Sequence, residues 1–280
     1  MIVRRHASAA DYLAAAREAL RQRPVVNQFP IAIAETCARE PARYGPDNFF
    51  FSAWDAGGDF AGAAIQTAPW PVQISDASAD AARALAGAFA ELAHPVGAVS
   101  GPDTPALAFA AEYAARRGLT HAVEQSLGVF ELVAVRPVPA APGQRVIAGP
   151  THAGVIQAWL EAFHAEATPH DPPVRADAGL RVLASGRAHL WLDAAGAPVS
   201  YALNNRLVEG WASIGPVYTP PELRGRGYAT ALVAAASQDL LDRGCAGCTL
   251  FTDLANPTSN AIYERIGYRR IGTARRYAFA

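Results

Sequence analysis

Apolar positions along the chain recur in two rhythms, and the rhythm changes where glycine, proline and small polar residues cluster. Alternating or continuous apolar runs predict strands near 2–5, at NFFFSAW (48–54), DFAGAAIQT (59–67), VGAVS (96–100) and SLGVFELVAV (126–135), with a short one at PVQIS (71–75). Helical spacing predicts helices from Ala9 to Arg23, from Phe29 to Arg39, over 78–93 and over 104–117. Ser8, with Asp11 three residues on, reads as the cap of the first.

After RPVPAAPGQR (136–145), a proline-rich stretch that reads as a linker, the same succession returns. QRVIA is a strand, THAGVIQAWLEAFHAEA a helix begun by Thr151, and 173–185 a second helix. AHLWLD and APVSYALNN alternate as a hairpin around AAG, and EGWASIGPVYT (209–219) is the next strand. A helix then runs to Gly244, AGCTLFTD is a buried strand, NPTSNAIYERIG a helix and YRRIGTARRYAF the last strand. One order of elements occurring twice is a duplication at domain scale. The expected fold class is α/β, with units at 1–138 and 144–280, each a mixed sheet flanked by helices.

Composition narrows the chemistry. All 24 basic residues are arginine, so lysine-borne Schiff bases and a Walker A lysine are excluded. A formal charge of −1 gives no bulk field for nucleic acid or an acidic membrane. Cys37, Cys245 and Cys248 are too few for a disulfide framework, and no apolar run reaches membrane-spanning length. The start of the chain carries Asp11 and Glu18, unlike a transit peptide. A cytoplasmic protein is expected, and the lysine-free Ala/Arg/Gly/Pro bias suits a bacterial source.

The densest chemistry lies at LRGRGYAT (223–230), where a strand gives way to a glycine-rich corner and then a helix. The first N–H groups of a helix lack intrahelical partners, and the helix dipole adds about half a positive charge there. Gly225 and Gly227 allow close backbone approach, and Arg224 and Arg226 add charge-assisted donors, so a phosphorylated ligand is expected. A P-loop would need lysine; a dinucleotide corner would need glycine where Thr230 stands, and acidic Asp242 lies near a helix end.

RGRGYA (224–229) matches the R/Q-x-x-G-x-G/A pyrophosphate-binding pattern, and NPTSNAIYERIGYRR places Asn256, Tyr263, Gly267 and Tyr268 in a second pattern downstream. Together they resemble the GNAT superfamily of acyl-CoA-dependent N-acetyltransferases, clearly over about 145–280 and in the first half only by element order. The resemblance implies two splayed parallel strands with the pantetheine arm of acetyl-CoA between them, which suits Pro216, a residue without an N–H. It also implies that Val217, Tyr218 and Thr219 contact that arm, that Arg224, Gly225, Arg226, Gly227, Tyr228, Ala229 and Thr230 cradle the diphosphate, and that Asn256 and Asn260 reach the cofactor. Tyr263 would protonate the departing thiolate, with a primary amine of a small molecule or peptide attacking directly. The same motifs would serve a non-catalytic acyl-CoA-binding protein.

For the base, Glu166, His164, His170, Asp171, Glu209 and Glu222 all remain candidates, as does a chain of water. CAGC follows a helix and enters a strand, unlike a redox pair, and no second pair accompanies it for zinc, so no metal is expected. The histidines of HAEATPHD read as solvated loop residues and the arginines of YRRIGTARRYAF as a strand's wet face. PWPVQISDASADAAR, which stands where the second half has its corner, offers neither glycines nor arginines before the helix. The first half is therefore expected to hold no CoA and to shape an acceptor cleft or a homodimer contact.

Overall fold

A computed structural model describes residues 1–280, and the chain packs as two units. The first comprises Met1–Val129, Asp253–Ala255 and Ile271–Ala280; the second comprises Phe130–Thr252 and Asn256–Arg270. Three segments thus fall outside the expected 1–138 and 144–280 division: residues 130–138 pack with the second unit, and 253–255 and 271–280 with the first.

In the first unit the elements are β1 (Ile2–His6), α1 (Ala9–Leu20), α2 (Gln28–Arg39), β2 (Asn48–Trp54), β3 (Phe60–Thr67), β4 (Val72–Ile74), α3 (Ala79–Ala90), β5 (Ala98–Pro102) and α4 (Asp103–Arg117). β6 (His121–Leu132) begins here, five residues before the predicted strand, and ends in the second unit. β1 to β4 pair antiparallel in chain order, and β4 pairs β5 in parallel. Phe51, on one face of β2, joins Leu85 and Phe89 of α3 and Phe109 and Tyr113 of α4 in one core. Phe50 points the other way, its ring 5.8 Å from that of Tyr12 on α1. The period-two alternation has thereby sorted one strand onto two helical layers. Ser8 caps α1 as expected, its hydroxyl accepting from the Asp11 N–H at 3.1 Å.

The second unit holds β7 (Gln144–Ile147), α5 (Ala153–Ala167), α6 (Ala178–Ala184), β8 (Ala188–Leu192), β9 (Pro198–Val208), β10 (Trp211–Tyr218), α7 (Tyr228–Asp242), β11 (Gly247–Asp253) and α8 (Pro257–Ile266). The last strand, β12 (Arg269–Phe279), begins here and continues into the first unit, where Ala274–Ala278 pair antiparallel with Ala98–Pro102 of β5. α6 starts later than predicted, at Ala178, with Asp177 in the N-cap position. β7 to β10 pair antiparallel in chain order, and β10 pairs β11 in parallel. Leu232, Val233 and Leu240 of α7 and Tyr263 and Ile266 of α8 cover one face of this sheet with Ala202, Ile214 and Leu250. Ile156 of α5 covers the other, over Leu190, Tyr201 and Tyr218.

The proline-rich stretch is not a free linker. Val138 and Ala141 pack on the core beneath α7, and the Trp191 indole donates to the Pro142 carbonyl at 2.9 Å. Arg145 of β7 fastens the far end of α7: its guanidinium donates to Asp239 Oδ1 at 2.9 Å and meets His189 Nδ1 at 3.0 Å. Arginine can only donate, so Nδ1 accepts and the imidazole is neutral, in keeping with burial, which pushes its pKa down to about 4.

Tyr277 lies in the core of the first unit although it is contiguous in sequence with the second half. Tyr277→Ala is expected to cost about 3 kcal/mol of unfolding free energy in a urea titration. It should also raise hydrogen exchange within residues 98–102, its strand partners. Faster exchange confined to residues 144–270 would contradict this packing.

Candidate functional site

The parallel pairing of β10 with β11 covers Trp211–Ser213 against Gly247–Thr249 and goes no further. Past Ser213 the register of β10 on β9 shifts twice, between Ser213 and Ile214 and between Ile214 and Val217. Pro216 sits inside this irregular stretch and has no N–H to offer a ladder. The two strands therefore part over Ile214–Tyr218, leaving their facing edges free of each other. This is the splay expected from Pro216.

From the open end of β10 the chain passes Thr219, turns through a 3-10 segment at Pro221–Leu223 and reaches α7 across Arg224–Gly227. Gly225 and Gly227 have φ of +78° and +82°, a backbone that side chains bearing a Cβ rarely adopt, and the whole corner is exposed. Gly227 is the N-cap of α7 and supplies no side-chain bond. The first backbone acceptor in the helix, the Gly227 carbonyl, takes the Ala231 N–H at 3.0 Å. The amides of Tyr228, Ala229 and Thr230 thus stand at a helix start with neither an i−4 carbonyl nor a cap. The elements of an anion cradle are present: unpaired donors, a positive dipole end and no Cβ in the way.

The first unit closes the corresponding place. There α3 is capped by Ser78, whose hydroxyl accepts from the Ala81 N–H at 3.1 Å, and the loop before it carries Asp76. Asp76 is ion-paired with Arg23, just beyond α1. A carboxylate at a capped helix start repels what the second unit's corner attracts.

The sequence-derived site residues divide into groups. Val217 and Tyr218 lie on the splayed end of β10, and Thr219 follows, its hydroxyl 2.9 Å from that of Ser200. Ser200 also donates to the Tyr218 carbonyl at 3.2 Å, so β9 anchors the strand where it parts from β11. Arg226 is exposed and donates to the Glu222 carbonyl at 3.2 Å. Arg224 is folded back: its Nε donates to the Thr219 carbonyl at 2.9 Å and its Nη2 to Glu166 Oε2 at 2.7 Å. The guanidinium also lies 5.7 Å from the centre of the Tyr218 ring. The Tyr218 hydroxyl donates to the other Glu166 oxygen at 3.4 Å, and burial, with the Glu166 charge adding to it, raises its pKa.

Asn256 begins α8 as its N-cap, accepting from the Ser259 N–H at 3.0 Å, and Asn260 donates to the Asn256 carbonyl at 2.8 Å. The Asn256 side-chain oxygen therefore holds the start of the helix. Tyr263 is 8% exposed, packed edge-on against Tyr268 at 5.9 Å, and burial pushes its phenol up to about 12. Tyr268 is itself fixed, 2.9 Å from the Ser237 hydroxyl on α7.

Of the candidate bases, Glu209 occupies the turn before β10, at the end remote from the corner, with φ +48°. His164 meets the Thr168 hydroxyl at 3.3 Å. Glu166 bonds both the Tyr218 hydroxyl on the splayed strand and Arg224 at the corner. Sequence reasoning named it without separating it from its neighbours, since no local pattern couples residue 166 to residue 224. Cys248 is buried, its thiol pushed up to about 12, and no group of His, Cys, Asp and Glu is arranged to hold a metal ion. No helix is long and apolar enough to cross a membrane. The arginines of β12 are paired, Arg269 with Glu131, Arg275 with Asp103 and Arg276 with Glu124; Arg269 and Arg275 are exposed as expected, whereas the Arg276 pair is largely buried.

An open parallel strand pair thus feeds a helix entered through glycine. Residues 154–268 match the acetyltransferase (GNAT) family. An acetyltransferase of Agrobacterium fabrum is 33% identical over 75 residues, which cover 27% of this chain and 53% of that protein. The match thus spans about half the length of that curated relative. Among solved structures, a GCN5-related N-acetyltransferase from Sphaerobacter thermophilus is 18% identical with a TM-score of 0.63, covering 99% of this chain and 94% of its own. A tandem GNAT protein from the clavulanic acid biosynthesis pathway is 14% identical with a TM-score of 0.52, covering 100% of this chain and 98% of its own. At those identities the likeness is one of fold.

The cap geometry carries its own test. Asn256→Ala is expected to cost about 1 kcal/mol of stability in chemical denaturation, while Asn256→Asp, which keeps the accepting oxygen, should cost far less. An equal loss for both would remove the capping role.

Proposed function

We propose that the chain is an acyl-CoA-dependent N-acetyltransferase acting on a primary amine of a small molecule or peptide. Residues 144–280 would form its acetyltransferase domain and 1–138 a GNAT-like partner that lacks a phosphate-binding loop. The observation carrying this reading is the uncapped start of α7 at the mouth of the β10–β11 splay. The unpaired amides of Tyr228, Ala229 and Thr230 fit the diphosphate of coenzyme A, and Arg226 adds a donor beside them. The free edge of β10 at Val217 and Tyr218 offers backbone groups to the amides of a pantetheine arm. When bound, acetyl-CoA supplies the acyl group already activated as a thioester.

The chain's own task is to hold the amine against that group and manage two protons. Tyr263 keeps its proton at every working pH because burial pushes the phenol up to about 12, and it gives that proton to the leaving sulfur. The amine attacks within a ternary complex, without a covalent enzyme intermediate. A cytoplasmic setting accords with three free cysteines. The depth of Tyr263, 8% exposed, favours a second reading in which the groove binds acyl-CoA without turnover.

Thiol release from acetyl-CoA across a broad amine panel separates the two. Wild type should turn over with at least one amine, and Tyr263→Phe should lower kcat about 10²-fold while leaving coenzyme A affinity within about twofold. The sign of the pKa shift adds a constraint: an acid kept protonated up to about 12 contributes no loss of rate as pH rises from about 7 to 10. A basic limb in that range that vanishes in Tyr263→Phe would contradict the assignment. Binding without turnover on every amine would favour the second reading.

A further inference from the structure

Glu166 sits where helix electrostatics disfavours it. It is the penultimate residue of α5 (Ala153–Ala167), at the negative end of the helix dipole, where a carboxylate is destabilising unless a cation answers it. The corresponding helix of the first unit obeys the rule, with Arg17 in the last turn of α1 and Arg23 just past it. Both units tie this helix end to the loop before the next-but-one helix by an ion pair, but with opposite polarity. In the first unit the helix brings arginine and the loop brings Asp76. In the second the helix brings Glu166 and the loop brings Arg224, the first residue of the open corner. The unit with an anion cradle is therefore the one that places a carboxylate beside it.

We propose that Glu166 is the resident counter-anion of the cradle, holding Arg224 until the diphosphate of coenzyme A takes its place. The inference rests on the reading of the corner as a coenzyme A site. The Glu166 carboxylate and the Arg224 guanidinium meet at 2.7 Å, with side chains 46% and 48% exposed. So exposed a pair contributes little net stability and opens readily. A diphosphate offers the guanidinium bidentate, charge-assisted bonds at least as strong as those to a carboxylate. Arg224 precedes Gly225 directly, so a change of its side-chain rotamers, without movement of the backbone, turns it from α5 toward the α7 amides. The exchange conserves the charge pairing of Arg224 and frees Glu166 Oε2, while Oε1 keeps the Tyr218 hydroxyl as its partner. Cofactor binding is in this way coupled to the end of α5, and Glu166 is a positioning residue that sets how tightly an empty site takes its cofactor.

Calorimetry with coenzyme A on the full chain tests this, with thermal unfolding confirming that each variant is folded. Glu166→Gln removes the competing charge but keeps the side chain's shape, so coenzyme A should bind about fivefold tighter than to wild type. Arg224→Gln should weaken binding, and adding Glu166→Gln to it should change affinity by less than about twofold, because no guanidinium is left to compete for. Unchanged or weaker binding by Glu166→Gln makes the pair a structural strut and overturns the proposal. Equal tightening in both backgrounds also overturns it, since the effect is then general repulsion rather than exchange at Arg224. Wild type showing no association with coenzyme A removes the coenzyme A reading itself, and the proposal with it. Wild-type binding with either of the first two results removes only the role of Glu166.

Discussion

The start of α7 is the point on which the second unit turns. A helix normally satisfies its first amides with a capping side chain, as Ser8, Ser78 and Asn256 do for α1, α3 and α8. At α7 the cap is Gly227, which brings the chain in through a left-handed conformation and gives the donors of the first turn no capping side chain. Unsatisfied amides are tolerable when they face water or a ligand, and costly when buried. Everything around them keeps the corner accessible: two shifts of register and a proline part β10 from β11 just before it, and Ser200 pins the strand as it leaves.

The two units show how one succession of elements yields an uncapped helix start or a capped one. Each runs from a strand that pairs in parallel with its neighbour into a loop and then a helix. In the first unit the loop carries Asp76 and ends on a capping serine, so the helix start is neutralised by its own chain. In the second the loop carries Arg224 and Arg226 and ends on glycine, so the charge is left for something else. A few residues, and not the layer architecture, decide which helix start can receive an anion.

Much of this was legible in the sequence. Element order, the duplication, the cap at Ser8 and the opening at Pro216 follow from local patterns whose physics acts within a few residues. Four things were not. Residues 271–280 join the first unit through pairing with β5, a contact across more than half the chain that periodicity cannot encode. The proline-rich stretch reads as a linker by composition, yet Val138, Ala141 and the Pro142 carbonyl find partners on the second unit's core. Asn256 matches a family pattern, but its side chain also satisfies the start of α8, and only coordinates reveal that bond. The pairing of Glu166 with Arg224 spans 58 positions and has no motif at all.

The central claim is that the bare amides at the start of α7 grip a diphosphate, and it can be put to calorimetry with coenzyme A on wild type and on Gly227→Val. A β-branched residue is strained at φ +82° and crowds the corner, so the account predicts measurable association for wild type and a loss of at least tenfold for the variant. Wild type that gives no heat of association, or a folded Gly227→Val protein that binds as tightly as wild type, would contradict it.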